Sequence, residues 1–400
     1  MAGGLQPVPT CDCMRILKLI DFFYPAEEAG GPVPVAYNFA KRLVDRGHHV
    51  TILTSNLLTS TARMSRKTFE DNKDGIRVVY MNSPIRYHWT AITPSLFSFC
   101  RTELRDFDII HFYAYRGFMS AVVAWYAKKY SVPYVLQSLG TVPILVRSKT
   151  KKYLYDHIVG FKMLRGARKL IAKSYLEKNH YLDVNIPEEK IAIIPNGIDV
   201  SEPIDGLRKG AFRSKFNIND SEKVILFLAR IHKRKGLDLL VRSFARVDIE
   251  NARLVITGPD DGFLKETKDL VKKQGIEGRV VFTGPLYGRE KFQAYMDSDV
   301  YVLPAVQEIF AVSVLEALLF RLPVIITEEF GIAHLIKDRV GLTIPYEVSA
   351  LTYAIERLLT DQALVEYFRV NSVELLKEHF SWDTHVDSLE KLYGEVLNGA

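Results

Sequence analysis

Apolar positions along this chain alternate between short compact blocks and spaced stripes. Residues 15–20 form the first block, with Ile16, Leu17, Leu19 and Ile20 in close succession, and predict a strand. A loop with Gly30, Gly31 and Pro32 follows. Val35, Phe39, Ala40, Leu43 and Val44 then fall at helical spacing, and Arg46-Gly47 supplies the stop. Further blocks at 49–54, 76–80, 109–112, 134–137, 170–172 and 191–194 predict more strands, with helical stretches between several of them. The turn Pro195-Asn196-Gly197-Ile198-Asp199 and the polar stretch after it break the series. A second series has blocks at 224–228, 253–256, 280–282, 301–303 and 324–326, with helices expected near 236–247 and 263–274. At the end, Val386, Leu389, Leu392, Tyr393 and Val396 mark a last helix, with Ser381 as a fitting N-cap.

Strands alternating with helices imply parallel sheets covered on both faces, an α/β architecture. Four hundred residues exceed one ordinary core. The expectation is two Rossmann-like lobes whose sheets face each other across an interdomain cleft, where ligands of open parallel sheets bind. The predicted boundaries are a disordered Gly- and Pro-rich leader at 1–13, a first lobe at 14–198, a second at 199–379, and a C-terminal helix at 380–400.

Composition narrows the class only a little. About half the residues are hydrophobic and a quarter charged, as in soluble globular proteins. No apolar run reaches the length of a membrane span, and no basic-then-apolar opening suggests a secretory signal. Cys11, Cys13 and Cys100 are few and odd in number, which fits a reducing, cytoplasmic setting and no structural zinc. Charge is uneven. Through residue 198 there are 27 Lys and Arg against 16 Asp and Glu, whereas the rest has 26 against 31. A basic first half suits an anionic partner, or simply a solvated face.

The strongest candidate chemistry lies at 307–317. Glu308 and Glu316 bracket seven residues, six of them apolar. The pattern reads strand (300–304), loop carrying Glu308, helix carrying Glu316, and a strand led by Pro323. Helical side chains lean toward the N-terminus, so both carboxylates can face one volume, which the free N–H groups of the helix start also face. A nucleoside-diphosphate sugar offers the hydroxyls and the anion that such a volume suits. In the loop after the 224–228 strand, Arg230 and Lys235 are placed to hold a diphosphate. The alternative is a solvated basic loop, to which Lys233 and Arg234 are assigned.

These segments resemble the donor-site signature of the retaining glycosyltransferases of family 4, the group that includes glycogen synthases and mannosyltransferases. The resemblance extends from Met14 to the C-terminus and is most specific in the second lobe. It implies a GT-B fold, a nucleotide-sugar donor on the second lobe, an acceptor on the first, and a last helix that returns to the first lobe. It implies that Glu308 holds the donor sugar, Glu316 the ribose diol, and Arg230 and Lys235 the diphosphate. It also places Gly30 and Gly31, Gly258, Leu286 and the helix-start residues Phe310, Ala311 and Val312 around the donor. Four positions depart from the pattern. Ala311 and Arg321 stand where Gly is usual, His334 where Glu is common, and Leu139 where many members carry a His near the donor sugar. Ala311 costs little if its φ is negative, whereas Arg321 past the helix end implies local strain. Gln137 and Ser138 become candidates for the first-lobe role, together with His111, for which a structural role is equally open.

No His/Cys cluster occurs at ligand spacing, and neither metal nor cofactor is expected. A dinucleotide oxidoreductase would need Gly-x-Gly-x-x-Gly after the first strand and an acid ending the second. The chain has Glu28-Ala29-Gly30-Gly31-Pro32 and Thr54-Ser55-Asn56 there. A non-catalytic nucleotide-sugar-binding protein is the other alternative. Nucleic acid has only net charge in its favour. Basic-aromatic stretches at 84–101 and 146–173 suit either the surface of an anionic membrane, with peripheral attachment, or ordinary helix faces. The expectation is therefore metal-independent transfer of a sugar to a glycan or lipid-linked acceptor.

Overall fold

The computed structural model describes residues 13–26, 31–59, 62–87, 90–143, 149–200 and 206–399. The chain packs as two compact units. One runs through Pro195 and takes back the segment from Trp382 onward; the other spans Asn196–Ser381.

The first unit contains strands β1 (Arg15–Leu19), β2 (His49–Ser55), β3 (Phe69–Lys73), β4 (Ile76–Met81), β5 (Ile85–Tyr87), β6 (Thr90–Ile92), β7 (Ile109–Phe112), β8 (Tyr134–Gln137), β9 (Lys169–Ala172) and β10 (Ile191–Ile193). Eight of them form one sheet in the order β10-β9-β8-β7-β1-β2-β4-β3. Only β3 runs antiparallel in it, and β5 and β6 form a separate hairpin. The polar β3 carried no apolar signal in the sequence. It pairs at the sheet edge, where one neighbour suffices.

The second unit contains β11 (Lys223–Leu228), β12 (Ala252–Thr257), β13 (Val280–Gly284), β14 (Val300–Leu303), β15 (Val324–Thr327) and β16 (Gly341–Ile344). They form a parallel sheet in the order β13-β12-β11-β14-β15-β16. All four residues of β14 are buried, as expected of a strand covered on both faces. The two-lobed α/β expectation holds.

Chain order reverses direction at β1/β7 in the first sheet and at β11/β14 in the second. Loops leaving the carboxyl ends of such strand pairs diverge and leave a crevice, which is where open parallel sheets take ligands.

Strand alternation decides what the first sheet buries. Leu17 and Leu19 of β1 join one core, with Ile110, Phe112 and Leu136. Ile16 joins the other, with Ile109 and Val135. The second core is closed by the helices Pro32–Asp45 and Trp382–Leu397. The Trp382 ring meets Phe39 edge-on at 5.0 Å, and the Arg42 guanidinium lies 5.1 Å from its centroid. Glu390 pairs with Arg46 and with His48 Nε2.

Candidate functional site

In the second unit, two glycines determine how closely the loops approach. Gly236 has φ +74, and a Cβ there would lie 1.9 Å from Pro304 O. Gly258 has φ +149, and a Cβ there would lie 1.8 Å from Ala229 O. The loop after β11 can therefore lie directly against those after β14 and β12. Lys235 is thereby brought to Glu308, with Nζ 2.5 Å from Oε2. Glu308 is fixed from its own backbone as well, since its carbonyl accepts from Gly331 N–H at 2.8 Å. Gln307, just before it, is left-handed at φ 49, a conformation that costs a non-glycine residue ~1–2 kcal/mol. Arg234 is not a free surface charge. It is half-buried and donates to Gln307 O at 3.1 Å, because the tight approach at Gly236 carries its guanidinium onto that strained turn. Arg230 is more exposed and donates to Asp261 Oδ2 at 2.7 Å.

Glu316 sits in the helix Val312–Leu319 and is also paired. Its Oε1 lies 2.5 Å from Lys291 Nζ, and its Oε2 lies 3.0 Å from the Tyr295 hydroxyl. Burial, then the nearby Glu316 charge, hold that phenol well above its ordinary pKa, so it stays a donor. Tyr301 of β14 donates to Leu228 O at 3.1 Å and accepts from Ser313 Oγ at 2.8 Å, anchoring the first helical turn to the sheet. Ala311 is extended at φ −115, so alanine carries no strain there. Arg321 is left-handed at φ 56, the strain its position implied. Val312 opens the helix; Phe310 is half-buried, 5.8 Å from Phe380; Leu286 is buried in the core. Lys291, Tyr295 and Asp261 were not anticipated.

The first unit differs. Gly30 lies outside the described residues. Gly31 has φ −49 and precedes the helix Pro32–Asp45, and a Cβ there would meet nothing within 4 Å. Neither conformation nor crowding at 31 demands glycine. His111 is buried, with Nδ1 2.6 Å from the Tyr393 hydroxyl and the ring stacked on Tyr113. Burial, reinforced by Lys18 and Lys173, pushes the imidazole well below its usual pKa and keeps it neutral. Gln137 is fully buried beside it. The geometry favours the structural reading of His111, because β7 and β8 turn His111 and Gln137 to the face that the last helix covers. Ser138 is buried too, and its Oγ donates to Glu177 Oε1 at 2.7 Å.

Among the described residues, no group of three His, Cys, Asp or Glu is placed to hold a metal ion. No helix among them is long and apolar enough to cross a membrane.

Comparison with known proteins extends this picture. Residues 29–202 match the family model described as Glycosyltransferase Family 4, and residues 208–374 match the one described as Glycosyl transferases group 1. An uncharacterized glycosyltransferase of Methanocaldococcus jannaschii is 27% identical over 397 residues, covering 94% of this chain and 97% of its own. A D-inositol 3-phosphate glycosyltransferase of Corynebacterium jeikeium is 25% identical over 427 residues, covering 96% and 97%. The crystal structure of HepE from Anabaena in complex with UDP-glucose superposes with a TM-score of 0.75 at 19% identity, covering 96% of this chain and 100% of that one. With both halves matched and the double parallel-sheet architecture in place, the chain belongs to the family 4 type of GT-B glycosyltransferases.

Proposed function

We propose that the protein transfers a hexose from a nucleoside-diphosphate sugar to an acceptor hydroxyl with retention of anomeric configuration. The donor is held by the second unit and the acceptor by the first. The observation that carries this reading is the pair of half-open ion pairs, Glu308 with Lys235 and Glu316 with Lys291, at the carboxyl edge of one sheet. Each carboxylate keeps some solvent access and can exchange its lysine for a sugar hydroxyl. Glu308 suits the donor sugar and Glu316 the ribose diol. Lys235 and Arg230 are the cations for the diphosphate, together with the first N–H groups of the helix Val312–Leu319. The bond from the anomeric carbon to the diphosphate oxygen breaks. The acceptor oxygen bonds to that carbon on the same face, and its proton passes to the departing diphosphate. Charge developing on the diphosphate is the charge these groups are arranged to stabilise.

HepE holds UDP-glucose, so UDP-hexoses are the first donors to test. A glycan or a lipid-linked sugar is the acceptor class. The first unit offers a face for a lipid-linked one. Trp125, Tyr153, Leu154 and Ile158 are exposed, and Lys128, Lys162, Arg168 and Lys190 line an apolar groove of about 690 Å³. Cations around exposed apolar side chains suit an anionic bilayer. Of the earlier basic-aromatic stretch, His88 and Trp89 lie outside the described residues.

The test is nucleotide release from UDP-, GDP- and ADP-hexoses by wild type and Glu316→Ala. Release that is strong in wild type and weakened in the variant supports the site; equal release from both refutes it.

A further inference from the structure

The loop that follows β8 is a strained turn held from both ends by charged groups that the proposed chemistry does not use. Thr141 N–H donates to Ser138 O at 3.2 Å, closing a four-residue turn. Its central residues, Leu139 and Gly140, have φ of 52 and 72. Two positive φ values define a type I′ turn, whose first central position favours Asn, Asp or Gly. Leucine there is an outlier, and such a conformation persists only where its surroundings impose it.

Those surroundings are specific. Glu177 is wholly buried in the helix Tyr175–Leu182. Its Oε1 accepts from Ser138 Oγ at 2.7 Å and from Gly140 N–H at 2.6 Å, while its Oε2 accepts from Lys173 N–H at 2.8 Å. Ser138 N–H donates to the Tyr181 hydroxyl at 2.8 Å. At the other end, the Arg116 guanidinium donates to the Thr141 and Val142 carbonyls. Asp156 orients Arg116 through a two-point pair. Asp156 lies in the π-helical turn Asp156–Gly160, a geometry that recurs at functional sites. Ligands of this sheet class bind beyond the strands' carboxyl ends, and the turn stands at that end of β8.

We propose that Glu177 and Arg116 are positioning residues for glycosyl transfer. They hold the turn at 138–142 in the single conformation that receives substrate on the first unit. This rests on the glycosyltransfer reading above. Neither residue touches substrate; each acts through the turn's backbone. Ser138, a candidate substrate contact by sequence, is instead part of the clamp. Glu177→Ala removes the carboxylate, so the Ser138, Gly140 and Lys173 donors all lose their acceptor.

The experiment uses the full chain and whichever UDP-, GDP- or ADP-hexose wild type turns over. For Glu177→Ala, hydrogen exchange at the Gly140 amide should accelerate. kcat should fall ~10- to 100-fold, the scale of loss for a displaced positioning element. The donor KM and the affinity for the matching nucleoside diphosphate should stay within roughly twofold, since that binding lies on the other unit. Ser138→Ala removes one bond and should shift exchange and kcat in the same direction by less, which covers the case in which Glu177→Ala does not fold. Unchanged Gly140 exchange overturns the clamp. Faster exchange with wild-type kcat overturns its link to transfer. If wild type itself binds no nucleoside diphosphate and releases none, the glycosyltransfer reading fails, and binding to wild type alone identifies that failure.

Discussion

Two sets of charged groups, one in each unit, are used in opposite ways. In the second, Glu308, Glu316 and their lysines are 12% to 23% exposed and each pair meets in a single contact. In the first, Lys18, Lys173 and Glu177 are sealed to within 2% exposure. A half-open ion pair is worth little to stability, because water already solvates both members. It can be traded for ligand at low cost. A sealed group has lost its water and depends on fixed partners, so it is costly to disturb and useful for setting geometry. Under the proposed function, the contrast separates groups assigned to substrate from groups that shape the ground around it.

The largest effect should come from testing the half-open pairs. Glu308→Gln should lower kcat/KM ~10²- to 10³-fold, the range for loss of one preorganised polar contact, with little change in thermal midpoint. If the midpoint fell sharply while activity per folded molecule stayed constant, Glu308 would belong with the sealed, structural groups and the contrast would collapse.

A sealed group should show the reverse. Burial lowers the Lys173 ammonium from 10.5 to about 7, and Lys18 is lowered too, by burial and then by Lys173. Between these values the unfolded chain holds more protons than the folded one, so stability rises with pH. The stabilisation is complete above 10.5 and is lost as pH falls toward about 7. Lys173 alone contributes up to ~1.4 kcal/mol per pH unit in that window. Trp89, Trp125 and Trp382 all fall in the first unit's sequence, so tryptophan fluorescence follows that unit during denaturant unfolding. Its unfolding midpoint should rise between pH 7 and 9.5, and Lys173→Met should flatten the rise. A midpoint independent of pH in wild type would show that these lysines find solvent.

The contrast also explains what sequence could reveal. Glu308, Glu316 and Lys235 sit in strand-loop-helix units whose apolar spacing predicts their placement, so the chain displays them locally. Their partners do not show. Lys291 and Tyr295 precede Glu316 by 25 and 21 residues, and no periodicity links them to it. In the first unit the deciding contacts are longer still. His111 meets Tyr393 across 282 residues, and only the position of the last helix shows that this face of β7 is covered. Glu177 is hidden for a different reason. Ser174-Tyr175-Leu176-Glu177 has the spacing of a helix-capping box, and Ser174 Oγ does accept from Glu177 N–H at 3.4 Å. That local pattern gives no sign that the Glu177 carboxylate reaches back to the turn after β8. The strand at 69–73 is polar, and in the one at 341–344 Gly341 and the half-buried Thr343 interrupt the apolar block, so neither shows the compact signal of the other strands.

The smallest effect sharpens the comparison most. Leu139 in the first unit and Arg321 in the second share a left-handed backbone, at φ 52 and 56. Arg321 only ends a helix: its N–H bonds Leu318 O at 2.9 Å, and Leu322 N–H bonds Ala317 O at 3.0 Å. Glycine there removes ~1–2 kcal/mol of strain and returns part of it through the freer unfolded chain, ~0.4–1 kcal/mol. Arg321→Gly should therefore raise stability by no more than ~1.5 kcal/mol and leave kcat alone. Leu139→Gly gains the same backbone relief but loses the side chain packed against the first unit's core and frees the turn to sample other shapes. It should lower kcat several-fold even if the protein is as stable as before. Calorimetry and steady-state rates on the two variants separate the cases. Equal kcat in both would mean that the left-handed leucine is, like Arg321, only a tolerated chain end, and that the clamp around it serves folding alone.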